Sequence, residues 1–326
     1  MELKQSVLRI LEHNRGIAIS GTILAKELFV TRSAIWKAIK SLQDDGYIIE
    51  AVTNKGYCLV DHNKIVSAES ISPYLKGNAK NFTIDFRSKV TSTNTIAKEM
   101  AVNGAMEGTV IVANEQTKGR GRLGRDFYSP ADSGIYLSII IRPDLNMEDS
   151  LLITTSVAVA VAKAIEEIAN VDVKIKWVND LFINNKKVCG ILTEGSMNFE
   201  NGGLNYAVVG IGINISTNDF PDDIKDIAGP VFDDYTCLSP KTRSLLIATI
   251  LNNIALCMDS LSDNKYLIEY RKRSFLIGKD IKIIHKNKYE NAKVLGIDDK
   301  ARLIVLNDKG EQALLSSGEV SVRQIN

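Results

Sequence analysis

Histidine and cysteine are scarce in this chain, with 3 and 4 residues among 326. Cys58, Cys189, Cys237 and Cys257 lie far apart, with no C-x-x-C pair and no clustered histidines. That spacing excludes a sequence-evident zinc site and a disulfide framework, and it suits a reducing cytoplasm. A dominant charge is also lacking. Lys and Arg number 40 against 39 Asp and Glu, for a net charge of +1, so any contact with nucleic acid needs a local patch. The greasiest stretch, Leu151 to Ile168, is interrupted by Thr154, Thr155, Ser156, Lys163, Glu166 and Glu167. It reads as a buried helix and not as a membrane span. The opening MELKQSVLRILEHN is amphipathic and carries Glu2 and Glu12, unlike a secretory leader. A cytoplasmic protein with no membrane contact is expected, and 326 residues suggest two or three domains.

What is present falls into three regions. In residues 1–65, Leu3, Val7, Ile10 and Leu11 recur at helical spacing. Ser20-Gly21 precedes a second helix, Thr22 to Leu28, and Thr31 can cap a third running to about Gln43. Ala25, Leu28, Ile35, Ile39 and Leu42 are the expected core. YIIEAVTNKGYCLV then reads as two strands joined at Thr53-Asn54-Lys55-Gly56. Helices about a short turn followed by a hairpin have the layout of a winged helix-turn-helix. In such a unit the third helix enters the major groove, led by its first side chains. Here these are Thr31, Arg32, Ser33, Trp36 and Lys37, with Lys40 further on and Lys55 on the wing. Phe29 stands where many such turns carry glycine. The alternative is a three-helix unit used for protein contacts.

Residues 66–272 read as an α/β domain. Gly108 to Ala113, Ile135 to Ile141 and Tyr206 to Ile215 are strands, Leu151 to Ala169 is a helix, and Asn184-Asn185 suits a hairpin turn. Hairpins recur, so the sheet is expected to be antiparallel or mixed. In residues 273–326, short strands separated by turns such as Asp308-Lys309-Gly310 predict a small β-barrel of SH3-like size.

The chemistry centres on Gly119-Arg120-Gly121-Arg122-Leu123-Gly124-Arg125. Three glycines let the backbone curl close to a ligand, and three guanidinium forks match carboxylate or phosphate oxygens. GRGRLG also spells a dinucleotide fingerprint, but that motif must open a helix. DFYSPADSG, which follows, is turn chemistry. The same residues also fit an RGG-like nucleic-acid segment or a merely solvated loop. Four further segments carry polar groups. Thr91-Ser92-Thr93-Asn94 opens a helix, either as a simple cap or as a ligand cradle, and Gln116 precedes the loop. Lys176-Trp177-Val178-Asn179-Asp180 places an amide and a carboxylate at a strand end. Lys186-Lys187-Val188-Cys189-Gly190-Ile191-Leu192 starts a strand, and Gly210-Ile211-Gly212-Ile213-Asn214 ends one, with glycines where a ligand can approach.

The order STN, GRGRLGR, KWVND, KVCGIL, GIGIN resembles that of the biotin–protein ligases. With a winged helix in front, the whole chain is similar to the bifunctional class that also represses the biotin operon. The resemblance implies an α+β multidomain protein: a winged helix-turn-helix, a central mixed α/β domain of the class II synthetase and lipoate ligase kind, and an SH3-like barrel. It implies that biotin and Mg-ATP form biotinyl-5′-AMP, and that the biotinyl group passes to a lysine of a biotin carboxyl carrier protein. By the same resemblance, Ser92, Thr93, Asn94, Gln116, Arg120, Gly121, Arg122, Lys187, Gly190 and Asn214 bind the substrate. Arg125, Phe127 and Asn179 serve ATP, Asn179 and Asp180 serve Mg²⁺, and Arg122, Lys187 and Asp180 carry the catalysis. The adenylate is then also the corepressor, favouring a homodimer on a two-part operator.

Two positions depart from the family pattern. Val178 stands where proline is common, and Phe127 where a tryptophan often stacks on adenine. A lipoate ligase shares the catalytic architecture but is not expected to carry the winged helix or GRGRLGR. The intact set of Arg122, Lys187 and Asp180 argues against a catalytically dead sensor.

Overall fold

The computed structural model describes residues 2–62, 65–146, 150–197, 203–234, 238–239, 241–259, 261–285, 288–316 and 320–324. The chain divides into two compact units, Met1–Leu75 with Thr236–Thr249, and Lys76–Tyr235 with Ile250–Asn326. Cys58, Cys189 and Cys257 are free thiols, and Cys237 lies outside the described residues.

In the first unit, α1 (Leu3–His13), α2 (Gly21–Glu27) and α3 (Arg32–Asp44) precede a hairpin of β1 (Ile49–Val52) and β2 (Gly56–Leu59), and α4 (Ala68–Ile71) follows. Polar residues set the helix starts. Ser20 Oγ accepts the Ile23 N–H at 3.1 Å and Thr31 Oγ1 accepts the Ala34 N–H at 3.2 Å. Each satisfies a donor that the first helical turn leaves open. Val7, Leu11, Leu24, Ile35, Ile39 and Leu42 interlock as the core. Leu28, expected among them, is half-buried at the end of α2, and Leu24 one turn earlier holds the central place. Phe29 adopts φ 54° in the turn before α3 and is 95% exposed. The wing turns through Asn54 and Gly56, both at positive φ. A Cβ on Gly56 would overlap the Ile19 carbonyl, and that close approach lets Ile19 and Tyr57 exchange two backbone hydrogen bonds of 2.9 Å.

The second unit is built on a mixed sheet. Its first elements are β3 (Thr83–Val90), α5 (Thr93–Val102), β4 (Thr109–Gln116), β5 (Gly134–Ile141) and α6 (Ser150–Ala169). β6 (Lys174–Lys176), β7 (Asp180–Ile183), β8 (Lys186–Met197) and β9 (Leu204–Asn214) complete the sheet, in the order β3-β4-β5-β9-β8-β7-β6. Only β3 and β4 run parallel, joined through α5, and the remaining pairs are antiparallel. β5 is buried at all 8 positions, so both sheet faces are covered. On one face Ala97 and Ala101 of α5 pack on Ile111, Ile140 and Val208. As its composition predicts, α6 is buried without a break from Leu151 to Ala162. Asn184 and Asn185, at φ 48° and 63°, make the expected tight hairpin between β7 and β8. The helix α7 (Thr242–Asp259), whose residues up to Thr249 belong to the first unit, and α8 (Tyr266–Arg273) come next in the chain.

The C-terminal region forms a five-stranded antiparallel sheet, the strand set of an SH3-like barrel. It comprises β10 (Asp280–His285), β11 (Lys288–Ile297), β12 (Leu303–Asn307), β13 (Gln312–Leu315) and β14 (Val320–Gln324) in the order β13-β12-β11-β10-β14. Among the described residues, no helix is long and apolar enough to cross a membrane.

Candidate active site and nucleic-acid interface

The sheet brings the sequence-predicted segments to one cavity of about 170 Å³. Its wall includes Ser92, Thr93, Asn94, Gln116, Arg120, Gly121, Arg122, Arg125, Phe127, Asn179, Asp180, Lys187 and Gly190. The ligand-binding and catalytic residues expected from sequence thus share a single site, with one exception. Asn214 is buried beside it, and its amide donates to the carbonyls of Lys187 (3.4 Å) and Gly229 (3.3 Å). It braces the backbone that presents Lys187.

At the start of α5, Ser92 stands at the N-cap position, yet its side chain makes no capping bond. The hydroxyl is therefore not spent on the helix. Gln116, at the end of β4, accepts from the Thr93 N–H (2.9 Å) and the Thr93 hydroxyl (3.1 Å), and its amide donates to Ser129 (3.0 Å). Gly190, Gly210 and Gly212 line part of the cavity with backbone alone. A Cβ on Gly212 would overlap the Phe127 ring, and one on Gly210 would overlap Asn94. The Phe127 ring also meets Tyr136 edge-on, with centroids 6.5 Å apart.

The glycine-arginine loop is folded back on itself. Gly121 N–H donates to the Arg125 carbonyl (2.7 Å) and Phe127 N–H to the Gly119 carbonyl (2.9 Å). Between them a short 3₁₀ turn runs over Arg122–Gly124, with Leu123 and Gly124 at φ 57° and 73°. A segment unsuited to a regular helix is thus pinned by its own carbonyls. Arg120 and Arg125 stay exposed. Arg122 instead reaches inward, and its Nη1 donates to Asn179 Oδ1 at 3.0 Å. Its Nη2 is buried with no hydrogen-bond partner. Burial pulls this guanidinium below its ordinary pKa range, and Asp180 works against that shift. A half-buried cation with an unspent donor is matched to an incoming anion.

Across the cavity, Asp180 opens β7 and Lys187 lies near the start of β8. Lys187 Nζ sits 2.7 Å from Asp180 Oδ1, an ion pair whose alignment falls short of a full hydrogen bond. Asn179 is fixed at both ends of its amide, accepting from Arg122 and donating to the Ile191 carbonyl at 2.8 Å. The Trp177–Val178 peptide before it is cis. Trp177 Nε1 donates to the Ala301 carbonyl and Tyr270 to the Val178 carbonyl, so the turn is tied down without proline. No group of three or more His, Cys, Asp or Glu side chains suited to a metal occurs among the described residues. Asp180 is one carboxylate beside one amide, a set that fits Mg²⁺ only when phosphate oxygens supply the other ligands.

Sequence reasoning missed Ser138 and Glu194. Ser138 Oγ lies 2.7 Å from Thr93 Oγ1 and 2.6 Å from Asn94 Oδ1. Glu194 accepts from Asn94 (2.9 Å) and from Lys98 (2.7 Å). Both left a signal: Ser138 is the one small polar side chain in GIYLSIII, and Glu194 shares the strand face of Gly190.

In the first unit, Ile35, Ala38, Ile39 and Leu42 face the core, leaving Arg32, Ser33, Trp36, Lys37 and Lys40 exposed along α3. Thr31 caps the helix and lies 2.9 Å from the Ser33 hydroxyl. Lys55 is exposed at the tip of the wing.

Comparison with known proteins agrees with this arrangement. The sequence profile of the biotin/lipoate A/B protein ligase family matches residues 86–214, and that of an HTH domain matches residues 4–58. The chain is 34% identical to the bifunctional ligase/repressor BirA of Bacillus subtilis, covering 97% of each protein. Its identity to the Escherichia coli protein of the same name is 25%, over 93% of this chain and 92% of that one. Among solved structures it is similar to the biotin protein ligase of Aquifex aeolicus in complex with biotin and ATP. That match has a TM-score of 0.61 at 26% identity and covers 74% of this chain and 99% of that one. The chain belongs to the biotin/lipoate A/B protein ligase family, among its bifunctional ligase/repressors.

Proposed function

We propose that this protein activates biotin with ATP, transfers it to a lysine of a biotin carboxyl carrier protein, and represses transcription through its winged helix. One observation carries the catalytic reading: Arg122, with an unpartnered buried donor, shares a cavity with the Lys187–Asp180 pair. In the first step the biotin carboxylate attacks the α-phosphorus of ATP, forming biotinyl-5′-AMP and releasing pyrophosphate. Two anions must approach, so the site needs fixed cations where charge builds up. Arg122 and Lys187 lie within the wall, and Arg120 and Arg125 line its rim. Mg²⁺ carried on the phosphates, with Asn179 and Asp180 beside them, would add to that neutralisation.

In the second step the carrier lysine attacks the acyl carbon and AMP leaves. An amine of pKa about 10.4 is mostly protonated at neutral pH, so a base must take its proton. Asp180 is the carboxylate at hand. Ser92, Thr93, Asn94, Gln116, Arg120, Gly121 and Gly190 line the biotin pocket in this reading, and Phe127 with Arg125 receives the adenine nucleotide. In the first unit, Arg32 and Trp36 face base edges, while Thr31, Ser33, Lys37 and Lys55 meet the backbone of operator DNA. The adenylate acts as corepressor by favouring a homodimer.

The test is incorporation of biotin into a biotin carboxyl carrier domain with ATP and magnesium, with lipoate run in parallel. Transfer of biotin and not lipoate is expected. Transfer of lipoate instead, or retention of biotin with no transfer, would overturn the ligase reading.

A further inference from the structure

Glu194 lies outside the cavity wall, yet the hydrogen-bond chain behind that wall ends on it. Asn94 Nδ2 donates to Glu194 Oε2 at 2.9 Å and to the Leu192 carbonyl at 3.3 Å. A carboxylate accepts and cannot donate, so Asn94 must turn its NH₂ toward Glu194 and its oxygen toward Ser138. Ser138 is fully buried and has a single proton for two oxygens, Asn94 Oδ1 at 2.6 Å and Thr93 Oγ1 at 2.7 Å. With the amide oriented by Glu194, Asn94 competes for that proton and Thr93 is left short of a donor. The Thr93 hydroxyl proton goes to Gln116. Its lone pairs remain available on the cavity wall.

We propose that Glu194 is a positioning residue for the substrate, holding Asn94 so that Thr93 presents a hydrogen-bond acceptor to an N–H group of the ligand. Two features keep the arrangement in place. The Gly210 backbone packs so closely on Asn94 that the side chain has no room to swing away. Lys98 pairs with Glu194 at 2.7 Å and Arg120 of the loop lies 3.7 Å from it. Burial favours a neutral Glu194, but Lys98 and Asn94 outweigh it and hold the carboxyl below its ordinary range, so it stays an acceptor.

This inference rests on biotin being the substrate, whose ureido N–H groups are the donors. Glu194→Gln keeps the shape but can donate, which frees Asn94 to reverse and Ser138 to satisfy Thr93. In the adenylation assay, KM for biotin should rise about tenfold, the equivalent of one hydrogen bond, with KM for ATP unchanged. Preference for biotin over its N-methylated ureido derivative should fall. In a Ser138→Ala background, where the chain is already cut, the same Glu194→Gln change should have no effect on KM. Ser138→Ala alone removes the competing donor and should leave KM for biotin unchanged, a reading that serves if Glu194→Gln fails to fold. A tenfold rise in KM for biotin in Ser138→Ala would overturn the proposal, as would an unchanged KM in Glu194→Gln, parallel rises for biotin and ATP, or a Glu194→Gln effect that persists in the Ser138→Ala background. Failure of the wild-type protein to use biotin would instead overturn the function itself.

Discussion

At the scale of single residues, Arg122 and Phe29 make opposite predictions. Arg122 spends one donor on Asn179 and leaves Nη2 unpartnered in a half-buried position. Its charge therefore contributes little to folding and much to an anionic transition state. Arg122→Ala should lower kcat/KM for pyrophosphate release by roughly 100-fold or more, a loss typical of removing one preorganised donor. Its melting temperature should hold or rise. Equal loss of stability and activity would show that the guanidinium is structural. Phe29 has the reverse profile, with a left-handed backbone and an exposed ring. A side chain there is strained by about 1–2 kcal/mol, while glycine gives back about 0.5–1 kcal/mol in chain entropy. Phe29→Gly should stabilise the first unit by roughly 0.5–1 kcal/mol, read as a rise in its urea midpoint. Motif reasoning reached these positions because glycine, arginine and turn residues advertise themselves. It did not reach Glu194 or Ser138, which act on Thr93, Asn94 and Lys98 of α5. The pairing of β5, β9 and β8, with Ser138 and Leu192 both opposite Gly210, brings the two residues to that helix, and no local spacing reveals which side chains they meet there.

At the scale of elements, the periodic segments were the legible ones. The polar caps Ser20 and Thr31, the Asn184-Asn185 hairpin and the unbroken apolar helix α6 each express a local rule. Ends set by long-range pairing were less legible. β4 runs on to Gln116 because β3 pairs with it up to that residue, and this register carries Gln116 to Thr93. The arginine loop is held chiefly by bonds within itself, including Gly121 to Arg125. Each of its glycines loses about 0.5–1 kcal/mol more than alanine on ordering, so ligand contacts should decide whether it stays closed. Limited trypsin digestion should cut at Arg120 to Arg125 in the free protein and be blocked by biotin with ATP. Equal protection in both states would show a loop already rigid. A second element-scale test concerns Tyr47, whose phenol is pushed up to about 12 by burial in the winged-helix core. Unfolding returns it to about 10.0, so ionisation favours the unfolded chain between those values. The first unit should keep its full stability below pH 10 and lose it as pH rises toward 12. Tyr47→Phe should flatten that loss in melts followed across the alkaline range.

At the scale of the whole molecule, the question is how an enzyme and a winged helix on one chain act on each other. The net charge of +1 gives no general pull toward DNA, so affinity is expected from a local patch, and the exposed stripe of α3 with the wing offers one. One such stripe makes few phosphate contacts, and two copies on a two-part operator make twice as many. A corepressor that favours the dimer then raises affinity without touching DNA. Coupling free energies between sites typically run about 1–3 kcal/mol, so biotin with ATP should tighten operator binding by about 5–150-fold. The gain should depend on protein concentration, appear with dimer in sedimentation, and steepen the salt dependence of binding. Arg32→Ala should abolish the operator complex while leaving biotin transfer intact. Because coupling is reciprocal, operator DNA should slow release of the adenylate by the same factor. A carrier protein that takes the biotinyl group would then compete with DNA for the liganded state, so adding it should release the operator. If operator affinity is the same with and without biotin and ATP, the two activities are independent and the adenylate is an intermediate only.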